Sequence, residues 1–185
     1  SQRIRFAGKT DVGQVRALNE DNLLVPQEMA LGVISDGMGG HACGEVASQI
    51  TVDTIDDFYK RTAEDDPPTW PIRLPQLELE KNRMVTAIKL ANSEIFSQAA
   101  DDPDKKGMGC TVDAIYFSQG RCYIGHVGDS RVYRVRNGRL EQLTEDHSLL
   151  NDYRRMKEMS GEEVAAFPYK NVVVRALGLG AEVAV

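Results

Sequence analysis

The chain has 185 residues, 42% hydrophobic and 27% charged, with 22 Lys and Arg against 28 Asp and Glu. That size and balance fit one domain with a buried core and exclude a disordered chain. A net charge of −6 argues against a nucleic-acid-binding surface, which needs clustered Lys and Arg.

In chain order, the first strands are predicted at IRFAGK, NLLVP and ALGVISD, the last ending at Asp36. Val46, Ile50, Thr54 and Phe58 then recur every four residues, with Ala47, Thr51 and Ile55 beside them, which predicts an amphipathic helix over about 44–60. Met84, Ile88, Ala91, Ile95 and Ala99 repeat that logic over about 77–99. Between the two lies EDDPPTWPIRLP, whose prolines forbid regular structure. Beyond residue 100 the pattern turns to strands: CTVDAIYF, RCYIGHV and RVYRV are short and rich in β-branched and aromatic residues. Asn137-Gly138 between apolar flanks is a strong hairpin signal, so residues 110–143 are expected to form one antiparallel meander. A further helix is predicted in SLLNDYRRMKEM, capped by Thr144 or Asp146, and a last strand in NVVVRALG. Helices gathered between strand blocks give an α+β architecture, not alternating βαβ units.

Cys43, Cys110 and Cys122 are an odd set without CxxC spacing, so they fit neither a disulfide framework nor a zinc finger. They read as buried thiols of a reducing compartment. No apolar run has the length of a signal peptide core or a membrane span, so the chain reads as cytoplasmic, with no membrane partner.

The stretch SDGMGGHACGEVAS places Asp36 after an apolar run and three glycines within the next four residues. A carboxylate beside the unobstructed carbonyl of Gly37 suits a hard divalent cation. The same stretch also fits a plain strand-turn-helix corner with Asp36 as a cap. Neither GxxxxGK[ST] nor GxGxxG occurs, so no nucleotide-phosphate loop is predicted. In TDVGQVRALNEDNLL, Arg16 offers a planar fork for phosphate, and Glu20 and Asp21 could join Asp36 around a cation or form a surface ion-pair cluster. Asp129 lies in a Gly-Asp-Ser turn, and His126 alternates with Ile124 and Cys122, as a residue packed in a sheet does.

Taken in order, TDVGQVRALNEDN, SDGMGGHACGEVAS, MGCTVDAIYF, HVGDSRVYR, LTEDHS and NVVVRALG resemble the bacterial branch of the metal-dependent serine/threonine protein phosphatases of the 2C type. The resemblance runs from about residue 7 to the end of the chain. It implies an α+β fold in which two antiparallel sheets pack as a sandwich with helices on the outer faces. It also implies hydrolysis of phosphoserine and phosphothreonine on proteins by a metal-activated water at a binuclear Mg²⁺ or Mn²⁺ centre. The partners would be phosphorylated proteins, with a serine/threonine kinase opposing the reaction in signal transduction.

Carried over by position, Asp36 would bridge both cations and the Gly37 carbonyl would bind one. Glu20 or Asp21 would complete the shell, Arg16 would grip the phosphate, and Asp129 would hold a third, weaker metal. Residues from about 148 to 170 would form a flap that helps choose the substrate. Met38 stands where some members carry a histidine, so His41 is given no role and the general acid is unassigned. The family's later Asp-Gly strand end and Asp-Asn pair are missing before Val185. Residues 1–185 are therefore expected to be a single phosphatase-type catalytic domain truncated at its C-terminal end, with weak metal binding and little turnover. The competing reading is a noncatalytic phosphatase-like domain that binds phosphoproteins.

Overall fold

A computed structural model describes residues 4–26, 29–38, 43–64, 76–170 and 172–185. Strand β1 (Asp21–Leu24) pairs antiparallel with β2 (Leu31–Met38), and helices α1 (Gly44–Arg61) and α2 (Leu79–Asp101) follow. A two-residue strand β3 (Gly109–Cys110), then β4 (Val112–Ser118) and β5 (Arg121–Val127), complete a sheet of order β1-β2-β4-β5, with β3 continuing the β4 side of β2. Strands β6 (Tyr133–Arg136) and β7 (Arg139–Gln142) form a separate two-stranded sheet. Short helices α3 (Leu149–Met156) and α4 (Gly161–Ala166) close the order.

Alternation along β2 decides which face carries the core. Leu31 and Val33 point inward, each 1% exposed, and meet Val112 and Ala114 of β4 and Val127 of β5. Helices α1 and α2 lie over this face. On α2 the predicted stripe is the buried one, through Met84, Ile88, Ala91 and Ile95. On α1 the buried line runs through Ala47, Thr51, Ile55 and Phe58, within the predicted face, and Val46 and Ile50 pack partly buried at its edge. Ala47, Ser48 and Thr51 are small, which lets the helix backbone approach β1 and β2 closely.

The opposite face presents Ile34, Ile115 and Phe117 to a cleft of about 580 Å³. Val132 and Tyr133 line the same cleft, so the start of β6 borders the face that the helices leave open. Helices α1 and α2 with two antiparallel sheets agree with the predicted α+β class.

Four local expectations need correction. Residues 110–143 are not one meander. The chain leaves the large sheet at Gly128, whose φ of 118° is open to glycine alone in practice, and the Asn137-Gly138 hairpin (φ 53° and 72°) builds its own ladder. IRFAGK has a strand's alternation but no ladder partner among the described residues: Phe6 packs edge-on against Phe117, with ring centroids 6.0 Å apart. Among the described residues NVVVRALG contributes two isolated bridges, Ser148 to Val173 and Cys110 to Leu177, because its two ends bind different neighbours. Finally, Ser148 rather than Thr144 or Asp146 caps α3, its Oγ accepting from the Asn151 N–H. The Ser160–Glu163 capping box that starts α4 was readable in SGEE and was not singled out.

Of the three free thiols only Cys110 is buried, and burial pushes its thiol up to about 11, whereas Cys122 is exposed. The EDDPPTWPIRLP loop, apart from Glu64, lies outside the described residues. No helix among the described residues is long and apolar enough to cross a membrane.

Candidate metal centre

The corner at Asp36 is made by three segments that meet on backbone hydrogen bonds. Strand β2 does not end at Asp36 as expected but runs on, pairing Gly37 with Cys110 and Met38 with Gly109. Asp36 faces away from the core, directly across from Asp21 in the β1–β2 ladder. The Gly37 N–H donates to the Glu20 carbonyl at 3.0 Å. That carbonyl also accepts from Ser48 Oγ of α1 at 2.6 Å, and Asn22 Nδ2 donates to the same Ser48 hydroxyl at 2.8 Å. Glu20, Gly37 and the start of α1 are thereby locked together.

Gly37 has a stronger reason to be glycine than an accessible carbonyl. A Cβ there would sit 2.2 Å from the Gly44 oxygen and 2.7 Å from the Glu20 oxygen, because the first residue of α1 crosses over it. Both obstacles are backbone and cannot rotate away. Gly37→Ala is expected to lower stability by about 1–3 kcal/mol or more, read as a urea midpoint. Gly161→Ala, which meets nothing within 4 Å, should stay within about 1 kcal/mol of the parent protein, on the stabilising side. Equal midpoints for the two variants would show that α1 does not cross Gly37 this closely.

Arg16, Glu20, Asp36, Gly37, Thr111 and Asp129 line one cleft of about 530 Å³. Arg16 is loosely tethered: its side chain is 68% exposed and reaches Glu20 Oε2 at 3.5 Å. Such a contact contributes well under 1 kcal/mol, so the guanidinium is available to another anion. Glu20 is better packed, and its Oε1 lies over Gly44, where a Cβ would come within 2.5 Å. Asp36 has its carboxyl pushed up to about 6, first by burial of its inner side and then by the charge and hydrogen bond of Asp21, with Asp129 adding to the rise and Arg16 opposing it. Asp21 is thus brought to Asp36 through the ladder, although the cleft lining runs through Asp36 itself.

Every sequence-predicted site residue therefore converges on one rim. Among the described residues no three Asp, Glu, His or Cys side chains are arranged to close around a single ion. The donors available are hard oxygens, and the Asp21–Asp36 pair gathers negative charge that Arg16 offsets only in part and a divalent cation would relieve. This donor chemistry fits Mg²⁺ or Mn²⁺ in an open, partly hydrated centre. Gly39, Gly40 and His41 lie outside the described residues.

Sequence reasoning missed the supports around this rim. His147 Nδ1 accepts from the Gly128 N–H at 3.0 Å, and the His147 N–H donates back to the Gly128 carbonyl at 2.7 Å. That pair of bonds fixes the turn carrying Asp129. His126 pairs with Asp113 at 2.7 Å and stacks on His147 with ring centroids 4.8 Å apart. Asp113 inside the apolar run CTVDAIYF was the visible signal, since a buried carboxylate calls for a partner.

A model of the protein phosphatase 2C family matches residues 14–165 of the chain. The serine/threonine phosphatase stp of Listeria innocua is 37% identical over 180 residues, which are 96% of this chain and 68% of that protein. The crystal structure of the Mycobacterium tuberculosis serine/threonine phosphatase PstP/Ppp superposes with a TM-score of 0.75 at 34% identity, covering 95% of this chain and 68% of that one. The catalytic domain of PstP in complex with two manganese ions gives a TM-score of 0.72 at 32% identity, covering 95% and 67%.

Proposed function

The chain belongs to the protein phosphatase 2C family of metal-dependent serine/threonine phosphatases, and we propose that the Asp36 rim hydrolyses phosphoserine and phosphothreonine on proteins. The observation that carries this reading is the Asp21–Asp36 carboxylate pair, set in register across β1 and β2 beside Arg16 and Asp129. In the proposed centre Asp36 and the Gly37 carbonyl would hold two Mg²⁺ or Mn²⁺ ions. Glu20 or Asp21 would complete the protein's share of the shell, and Asp129 would hold a third, weaker ion. The manganese-bound PstP domain supports the choice of cation class. When bound, the cations lower the pKa of a water and neutralise charge on the phosphoryl oxygens.

The chain's own residues do the rest. Arg16, exposed and weakly tethered, swings onto the phosphate and fixes it by charge-assisted hydrogen bonds. Val173 lines the cleft, and in this reading the segment from residue 148 to 170 that precedes it supplies the protein-substrate contacts. Each cation takes about six oxygens, more than these residues offer, so water fills the remaining positions and affinity is modest. The same reading makes a cytoplasmic serine/threonine kinase the source of the substrate.

Phosphate release from a phosphothreonine peptide tests the proposal. Turnover should require added Mn²⁺, disappear when the metal is removed with EDTA, and return on adding Mn²⁺ back. A protein that binds the phosphopeptide with Mn²⁺ present yet releases no phosphate would instead be the noncatalytic, phosphoprotein-binding domain.

A further inference from the structure

One residue touches both halves of the rim. Thr111 is 2% exposed and occupies the single position between β3 and β4, opposite Asp36. An ordinary hydrogen-bonded pair in an antiparallel ladder exchanges two backbone bonds. Here the Thr111 N–H does donate to the Asp36 carbonyl at 2.9 Å. The return bond is different: the Asp36 N–H donates to the Thr111 hydroxyl oxygen, Oγ1, at 3.1 Å. The Thr111 carbonyl is left for Ser35 Oγ, which donates to it at 2.7 Å. Both peptide groups that flank the Asp36 side chain are therefore held by Thr111.

The same side chain reaches the other carboxylate's turn. Thr111 Oγ1 is hydrogen-bonded to Ser130 Oγ at 2.7 Å, on the residue after Asp129. Its methyl group lies against Gly128, the residue before Asp129, where a Cβ would come within 2.6 Å of Thr111 Cγ2. Hydroxyl and methyl together grip the turn from both sides.

We propose that Thr111 is a positioning residue whose hydroxyl sets the distance between the Asp36 strand and the Gly128–Ser130 turn, and so the spacing of the two carboxylates that receive metal. The inference rests on the phosphatase reading of the rim for its consequence, but its geometry is a property of the protein without metal. Thr111→Val keeps the branched shape and the methyl contact while removing the acceptor for Asp36 and the partner of Ser130. Thr111→Ser keeps the hydroxyl and loses only the methyl.

Three measurements separate the possibilities. Amide hydrogen exchange at Asp36, followed by NMR on the metal-free protein, should speed up at least about 10-fold in Thr111→Val and stay near the parent rate in Thr111→Ser. Mn²⁺ affinity, measured by calorimetry, should fall about 10- to 100-fold in Thr111→Val, the range seen when an outer partner of a metal ligand is lost. Turnover of a phosphothreonine peptide should lose kcat in that variant with KM nearly unchanged, and the serine variant should recover both kcat and metal affinity. Unchanged exchange at Asp36 in Thr111→Val would overturn the proposal, as would a serine variant as impaired as the valine one. If the unaltered protein takes up no Mn²⁺, the phosphatase reading fails while the exchange measurement still decides the role of Thr111.

Discussion

Asp36→Asn is expected to abolish metal-dependent turnover and, in the absence of metal, to leave the protein more stable than its parent. Both effects follow from one fact. Asp36 stands across from Asp21 in the ladder, with its carboxyl raised to about 6 by burial and by Asp21's charge. A carboxyl whose folded pKa lies above its unfolded value binds its proton more tightly in the native state. Its ionisation therefore weakens the metal-free fold as pH rises from about 4 to about 6, and the cost persists at neutral pH. Because the side chain is exposed on its outer side, solvent screening holds that cost to about 1 kcal/mol.

The asparagine carries no charge and escapes the penalty, but it offers a cation one neutral oxygen where the proposed centre needs a shared anion. Turnover on a phosphothreonine peptide should drop by more than about 100-fold, the upper range for losing a mere outer partner. A gain in the urea midpoint of the EDTA-treated protein at about pH 7.5 should accompany it. A dead but stabilised variant is the signature of a residue kept for its site and not for the fold. Undiminished turnover in Asp36→Asn would remove the metal anchor from the proposal.

What the sequence disclosed about this rim was chemistry, and what it hid was register. Apolar periodicity over Met84, Ile88, Ala91 and Ile95 placed α2 correctly because about three turns of a helix repeat one signal. The order of the short polar motifs likewise brought Arg16, Glu20, Asp21, Asp36 and Asp129 into one list, and they do share one rim. On α1 the deepest contacts fall to Ala47 and Thr51, beside the four-residue repeat, since small residues carry little hydropathy yet face the tightest contact. Gly37 was read for what its carbonyl could reach, whereas its lack of a side chain is demanded by Gly44, which is near only once α1 has folded back. Thr111 could not be found by pattern at all. Its role comes from a hydroxyl replacing a backbone acceptor, and that depends on where β3 gives way to β4 opposite Asp36. Long-range pairings leave no local periodicity to read.

The pairing of Asp113 with His126 is the extreme case, and it carries the largest stability effect expected in the chain. The Asp113 side chain is 1% exposed; one oxygen meets His126 Nδ1 at 2.7 Å, and the other has no hydrogen-bond partner. His126 Nε2 in turn meets the Glu145 carbonyl at 2.9 Å, so both ring nitrogens face acceptors and the ring is best served as an imidazolium. Burial opposes that charge, but the hydrogen bond and charge of Asp113 outweigh it and raise the His126 pKa. The neighbouring His147 goes the other way, down to about 4, through burial and then the charges of Arg175 and His126. The two shifts run in opposite directions, so the stack avoids holding two charged rings. His126→Leu would strand the Asp113 carboxylate in the sheet, and breaking a buried pair from one side costs about 3–5 kcal/mol. The double variant Asp113→Leu/His126→Leu, apolar on both sides, should recover most of that loss.

The pH dependence follows from the same signs. A histidine with a raised folded pKa contributes stability that is whole below about pH 6.5 and is lost as pH climbs through the raised value. Asp113, raised first by burial against the pull of His126, favours the fold on the acid side as well. Urea midpoints should therefore fall between about pH 6 and pH 9 in the parent protein and stay level over that range in the double variant. A parent protein as stable at pH 9 as at pH 6, or a single variant no weaker than the double one, would mean that this buried pair does not hold β4 and β5 together.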